Sequence, residues 1–233
     1  TQTAVKKIFT DEKIRAKLGE NGKRFSSANS INVGRLLPQI VYYISAYADL
    51  VADGEIADGE TVNVTVPTGN FGNILAAYYA KQMGVPFGKL ICASNANNVL
   101  TDFLSTGEYN VNRDFYMTES PSMDILVSSN LERLIFELSG KDDGYVRAVM
   151  ESLNEHGKYS VPDEILSKIK EHFAAGFTDD KGAENRIKML FEEYSYLCDT
   201  HTAVAVEVYE KYQAETGDRT KTIIASTASP YKF

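Results

Sequence analysis

Val64-Thr65-Val66-Pro67-Thr68-Gly69-Asn70-Phe71-Gly72-Asn73, running on into Ile74-Leu75-Ala76-Ala77-Tyr78-Tyr79-Ala80, decides the fold. Alternating valines read as a buried strand, the two glycines as a tight turn, and the alanine- and leucine-rich continuation as a helix. Glycines three apart let the backbone curl so that several N–H groups face one small concavity. The helix adds its own unpaired N–H groups and the positive end of its dipole. Such a turn is a seat for a phosphate dianion. It lacks the third glycine and downstream acid of a dinucleotide fingerprint and the Gly-Lys-Ser/Thr ending of a triphosphate loop. A plain strand–helix turn, with Asn73 serving only as a cap, stays open on these residues alone.

Working outward, Lys89 to Ser94 and Thr222 to Ser226 are short apolar runs suited to a covered sheet, with Thr61 to Val66 as the first strand. A helix from Asn73 to Met83, closed by Gly84 and Pro86, separates the first two strands, so they should pair in parallel. Before them, residues 3–18 read as a helix and Gly19 to Gly22 as a turn. A long helix follows near Ser30, with Val33, Leu36, Leu37, Ile40, Val41, Ile44, Tyr47 and Val51 as one broad buried face; Pro38 should kink it or mark its start. From Met123 to Tyr212 the pattern is almost wholly helical, with helices expected over 123–138, 143–155, 162–174, 182–196 and 201–215. The expected fold class is α/β: an open, mostly parallel twisted sheet of three or more strands flanked by many helices. Ligands bind beyond the carboxyl ends of such strands. Those ends carry Thr68-Gly69-Asn70, Ser94 to Asn98 and Ser226 to Ser229, which bind by neutral hydrogen bonds rather than charge.

The 233 residues carry 24 Lys+Arg against 32 Asp+Glu, a formal net charge of -8. An acidic chain without a basic cluster argues against nucleic acid or a polybasic membrane contact. No apolar run approaches the roughly 20 residues of a membrane helix. Two cysteines, Cys92 and Cys198, exclude a disulfide framework and fit a reducing cytosol. His156, His172 and His201 have no metal-ligand spacing, and His201 reads as part of a helix entry. Asp142-Asp143 and Asp179-Asp180 read as helix N-termini. Neither a Gly-x-Ser-x-Gly elbow nor a carboxylate pair points to a hydrolase. Thr227 reads either as a turn hydroxyl or as a neutral partner for a ring heteroatom. Asn29, Ser30 and Asn32 read either as caps or as ligand contacts.

Several segments taken in order resemble threonine synthase, a pyridoxal-phosphate enzyme of the tryptophan-synthase-β-like class. They are Ser27-Ala28-Asn29-Ser30-Ile31-Asn32 with Gly34-Arg35-Leu36-Leu37-Pro38-Gln39, Pro67 to Asn73, Leu90 to Asn95, Asn98 to Phe103, Ser120 to Arg133, His201-Thr202-Ala203-Val204, and Ser226-Thr227-Ala228. The family pattern has proline before His201 and histidine in place of Ser229. The resemblance implies that Gly69, Asn70, Phe71, Gly72 and Asn73 hold the 5′-phosphate of pyridoxal 5′-phosphate. It implies that Thr227 meets the pyridine nitrogen, and that Asn29, Ser30 and Asn32 lie by the ring or substrate. The implied reaction turns O-phospho-L-homoserine and water into L-threonine and phosphate in a cytoplasmic, fold-type-II enzyme, with no metal. Monomer and homodimer are both open.

The family's Schiff-base lysine stands in a Phe-Lys-Asp context that does not occur here: Lys89 follows Gly88, and Lys81 lies beyond the turn. The expectation is therefore a fragment, one partial cofactor-binding domain over residues 1–233 with 1–25 as the end of a smaller subdomain. Such a fragment contains no catalytic lysine and is inactive alone. A non-catalytic binder of a phosphorylated metabolite is the alternative from another class.

Overall fold

The computed structural model describes residues 8–9, 11–26 and 32–232. Its centre is a four-stranded, all-parallel sheet of order β5-β2-β1-β6, with β1 Val62–Pro67, β2 Phe87–Ser94, β5 Phe173–Phe177 and β6 Thr222–Ile224. Side chains of β2 alternate between two cores, as a strand's period of two requires. Leu90 and Cys92 join the helices Val33–Ala52, Gly72–Gln82 and Leu131–Leu138 on one face. Ile91 and Ala93 join the helix Thr200–Thr216 and Met123 on the other. The result is a covered sheet, the setting in which apolar strands without polar alternation are stable. An antiparallel pair, β3 Glu108–Asn110 with β4 Lys158–Ser160, lies apart from it.

The first two strands and the helix between them match their sequence signals to within two residues. The almost wholly helical pattern expected from Met123 to Tyr212 holds only in part. Residues 123–130 are not an α-helix; a 3-10 turn occupies Pro121–Met123 and the α-helix runs only over Leu131–Leu138. The polar side chains of Asp124 and Ser128 instead reach partners distant in sequence, Asn95 Nδ2 at 2.8 Å and the Gly69 carbonyl at 2.8 Å. The helix expected over 162–174 ends at His172, and Phe173 begins β5, which pairs with β2 from Leu90↔Phe173 to Ser94↔Phe177. The helix Val99–Thr106 and strands β3 and β4 also went unread in the sequence. Helices over Asp143–His156, Asp180–Tyr194 and Thr200–Thr216 lie where expected, and Asp142 and Asp179 cap the first two by accepting from Tyr145 N and Gly182 N.

The long helix Val33–Ala52 starts at Asn32, whose Oδ1 accepts from Gly34 N at 2.9 Å; Ser30, expected as its cap, lies outside the described residues. Pro38 sits within it at the sixth position rather than at its start. The single broad buried face is corrected to two stripes. Leu36, Ile40, Tyr43 and Tyr47 are buried, while Val33, Leu37, Val41 and Ile44 are exposed one after another along the outer side. Only the inner stripe meets the helix Gly72–Gln82 and the sheet. The helix Glu12–Glu20, part of the segment expected as a helix over 3–18, buries none of its side chains.

Candidate functional site

The strand ends meet at one edge of the sheet. Pairing Pro67↔Ala93 and Thr65↔Ile224 brings the turn after β1 beside Ser94 and beside the residues that follow β6. Ala225 N extends that alignment by donating to Thr65 O at 2.9 Å. A cleft of about 390 Å³ opens there, walled by the backbone from Pro67 to Asn73, by Ser122 and Met123, and by Arg35, Gln39, His201 and Thr227. The turn and Thr227, 154 positions or more apart in sequence, thus face one space. A second hollow continues it between the long helix and β6, sharing Arg35, Gln39, Asn73 and Thr227.

The turn owes its shape to two features. Phe71, at the N-cap of the helix, is left-handed with φ 62°, uncommon for a residue with a side chain. Its ring, 1% exposed, is locked against Phe173 with centroids 5.8 Å apart, and that burial offsets the local strain. Gly69 is required by space: a Cβ there would stand 2.6 Å from Ser122 O and 3.3 Å from Met123 Cα. The carbonyls of the turn are engaged on its far side. Ser128 Oγ donates to Gly69 O at 2.8 Å, and Asn130 N and Nδ2 donate to Asn70 O at 3.2 and 2.9 Å. Phe71 provides no side-chain cap to the helix, whose first-turn N–H groups have no intrahelical partner. Asn73 is turned to the long helix, its Oδ1 accepting from Tyr43 OH at 2.7 Å. Carbonyls tied back, with first-turn amides that have no intrahelical partner, make this helix N-terminus favourable for an anion.

The only ordinarily cationic side chain lining the cleft is that of Arg35, among the described residues; no lysine lines it or the adjoining hollow. Lys81, whose pKa is lowered by burial and by Lys89, is held by the Gly88 carbonyl at 2.6 Å. Nine residues down the helix from Gly72, it lies about 14 Å from the turn at 1.5 Å per residue. Burial pushes the Cys92 thiol up to about 12, so it is no nucleophile. No cluster of three or more His, Cys, Asp or Glu able to hold a metal exists among the described residues, and no helix there is long and apolar enough to cross a membrane.

Of the residues singled out in the sequence, Gly69 to Asn73 and Thr227 are brought together. Asn32 caps the long helix, while Asn29 and Ser30 lie outside the described residues. Sequence reading passed over Arg35, Ser122 and the role of His201. His201 is 2% exposed and lines the cleft wall. Its Nε2 accepts from Ser122 N at 3.2 Å, so the ring proton sits on Nδ1, 3.0 Å from Asp199 Oδ1. The Asp199-Thr200-His201 spacing was legible only as a helix start.

Burial lowers the His201 pKa below its ordinary value, opposed by Asp199 and Asp124 and reinforced by Lys232. The unfolded chain therefore binds this proton more readily than the folded one. Stability should rise with pH between the depressed folded value and about 6.5, and fall as pH drops through that window. Urea midpoints measured from about pH 7 down to about pH 5 should show this fall, and His201→Gln, which does not titrate, should flatten it. An unchanged slope in His201→Gln would assign the pH dependence to other groups.

No family model matches this chain. It is 45% identical over 234 residues to "Threonine synthase-like 1" of Homo sapiens, covering all of this chain and 31% of that protein. It is 37% identical over 248 residues to the threonine synthase of Eremothecium gossypii, covering 46% of it. A crystal structure of pyridoxal-phosphate-bound threonine synthase from Brucella melitensis superposes with a TM-score of 0.85 at 38% identity, over 99% of this chain and 47% of the other. The chain is similar to threonine synthase along its whole length. It spans less than half the length of each of these relatives. Its sheet and helices therefore form part of the fold-type-II architecture of threonine synthases.

Proposed function

We propose that this chain is the cofactor-phosphate half of a threonine-synthase active site, with pyridoxal 5′-phosphate as the cofactor. The observation that carries the reading is the shared cleft: a glycine turn at a helix N-terminus on one wall and Thr227 on another. The residues fit the group. Gly69 to Asn73 would take its phosphate dianion, in a cradle that a Cβ at Gly69 would fill. Thr227, exposed at the cleft, would meet the pyridine nitrogen with a neutral hydroxyl, which leaves that nitrogen largely unprotonated. When bound, the cofactor supplies the electron sink for proton removal from an amino-acid substrate.

The chain's own residues do the remaining work. Arg35 presents a permanent positive charge, suited to an anionic group of a substrate such as O-phospho-L-homoserine. Asn32 would lie by the ring or the substrate, as would Asn29 and Ser30, which are outside the described residues. Tyr43 fixes Asn73, and with it the entry of the helix that faces the phosphate. The neutral His201 ring offers no charge to the cleft. The absence of a lysine from both hollows, among the described residues, supports a chain that holds the cofactor without carrying the acid–base lysine. The full reaction, L-threonine and phosphate from O-phospho-L-homoserine and water, then belongs to a longer cytoplasmic protein. Residues 1–25 are assigned to the end of its smaller subdomain, consistent with a helix Glu12–Glu20 that buries nothing.

A non-catalytic binder of a phosphorylated metabolite is the second reading. It is favoured by higher identity to proteins named threonine synthase-like 1, 45%, than to named threonine synthases such as the 37% match. Titration of isotope-labelled chain with pyridoxal 5′-phosphate, pyridoxal and O-phospho-L-homoserine separates the two. The expected result is perturbation of the Gly69–Asn73 and Thr227 amides by pyridoxal 5′-phosphate, much less by pyridoxal, and no threonine formed. Perturbation by O-phospho-L-homoserine alone would favour the binder, and perturbation of neither segment would overturn both readings.

A further inference from the structure

One hydrogen-bonded chain, buried at its centre and open at its two serine ends, runs from one wall of the cleft to the other. It begins at Ser122, whose carbonyl abuts Gly69 and whose N–H donates to His201 Nε2 at 3.2 Å. His201 Nδ1 donates to Asp199 Oδ1 at 3.0 Å, and Asp199 also accepts from His201 N at 2.9 Å and Thr202 N at 3.3 Å. The other carboxylate oxygen takes a short hydrogen bond from the Thr202 hydroxyl. Thr202 Oγ1 lies 3.1 Å from Ser226 Oγ, and with its own proton committed to Asp199 it is left to accept there. Ser226 immediately precedes Thr227. Asp199, His201 and Thr202 are each 3% exposed or less.

A simple cap needs none of this. Asp199 would cap its helix through the two backbone amides alone, whatever stood at position 201. The side chain of His201 adds a second commitment, to a backbone N–H 79 positions earlier in sequence, in a loop that forms no regular pairing with the helix. Once Asp199 holds the proton on Nδ1, Nε2 is fixed as an acceptor, and only an acceptor can hold Ser122 N–H.

We propose that Asp199 and His201 are a positioning pair. Asp199 sets the tautomer of His201, His201 holds the Ser122–Met123 wall against Gly69, and Thr202 ties the same carboxylate to the strand end that carries Thr227. The inference rests on the cofactor-seat reading above for its functional meaning, and on the hydrogen bonds for its existence. Neither residue is a catalytic residue, since both act through Ser122 and Ser226.

The test uses the whole chain without ligand first. Nitrogen NMR of wild-type His201 should show the Nδ1–H tautomer; an Nε2–H ring would overturn the proposal without any variant. Two variants then separate the ring's two roles. His201→Gln keeps an acceptor near the Nε2 position, and His201→Asn keeps only a donor near Nδ1. Hydrogen exchange at Ser122 should remain near wild type in His201→Gln and accelerate about tenfold or more in His201→Asn, the effect of removing the acceptor that holds its N–H. The Gly69 and Thr227 amide shifts should move with it. Equal exchange in both variants, or shifts confined to residues 199–203, would overturn the proposal. Adding pyridoxal 5′-phosphate afterwards tests the seat separately. Coupled walls with no response at Gly69 to Asn73 would sink the seat and leave the positioning pair standing.

Discussion

Replacing Gly69 by alanine is expected to cost about 1–3 kcal/mol of stability and to abolish phosphate binding at the turn. Backbone strain is not the cause, because Gly69 is not among the residues with positive φ. The cause is a collision: the new Cβ would lie 2.6 Å from Ser122 O and 3.3 Å from Met123 Cα, both backbone atoms. A flexible side chain could swing aside, but this wall cannot, since Met123 is 3% exposed and packed in the second core with Ile91, Ala93 and Ala203. Relief requires either the wall or the turn to shift, and a shift of the turn re-aims the amides that face the anion. Gly19→Ala is the matched control. Gly19 lies inside the helix Glu12–Glu20 with nothing within 4 Å of its added Cβ, so alanine there should stabilise by about 0.5–1 kcal/mol. Urea denaturation and phosphate titration of the two variants decide the matter. A Gly69→Ala chain that unfolds and binds like wild type would show that the wall yields freely, and the cradle would lose its main structural support.

The contrast between these two glycines also marks what the chain discloses in one dimension. The strand–turn–helix around Gly69 was readable because local signals agreed: alternating valines, a glycine turn, then good helix formers. The caps at Asp142 and Asp179 were readable for the same reason. Strand β5 was not, because Phe173-Ala174-Ala175-Gly176-Phe177 follows a helix directly and is made largely of residues with no strand preference. Its state is decided by pairing with β2, a tertiary effect that overrides propensity. The over-long helix from 123 fails in the opposite way. Asp124 and Ser128 are placed to bond across the fold, and no local pattern announces that. On the long helix, period alone cannot say which apolar stripe meets a neighbour, so Val33, Leu37, Val41 and Ile44 read as core and stand exposed. At the site, Thr227 and the turn were each recognisable, but Arg35, Ser122 and His201 acquire meaning only when the strand ends converge.

The largest stability loss is expected at a distance from the cleft, in Phe103→Ala, at about 3–5 kcal/mol. Phe103 is fully buried in the helix Val99–Thr106 and meets Tyr109 and Tyr159 edge-on, each with centroids 5.7 Å away. Tyr109 and Tyr159 stack on one another at 5.2 Å and 5° across the β3–β4 pair. Two strands of three residues have too few hydrogen bonds to persist alone, so these three rings hold the pair to the main body. The cluster then reaches the site in two steps. Tyr109 OH donates to Leu126 O at 2.8 Å and accepts from Ser128 N at 2.9 Å, and Ser128 Oγ donates to Gly69 O. Removing the Phe103 ring leaves a cavity under Tyr109 and slackens the segment that ties back the turn's carbonyls. Phe103→Leu, which refills most of that volume, should cost far less, and Tyr109→Phe should keep the packing while stranding Ser128 N, at about 1–3 kcal/mol. Hydrogen exchange at Ser128 and the Gly69 amide shift should therefore change in Tyr109→Phe with only part of the stability loss of Phe103→Ala. A Phe103→Ala chain within about 1 kcal/mol of wild type would mean that the β3–β4 pair is held by contacts other than these rings.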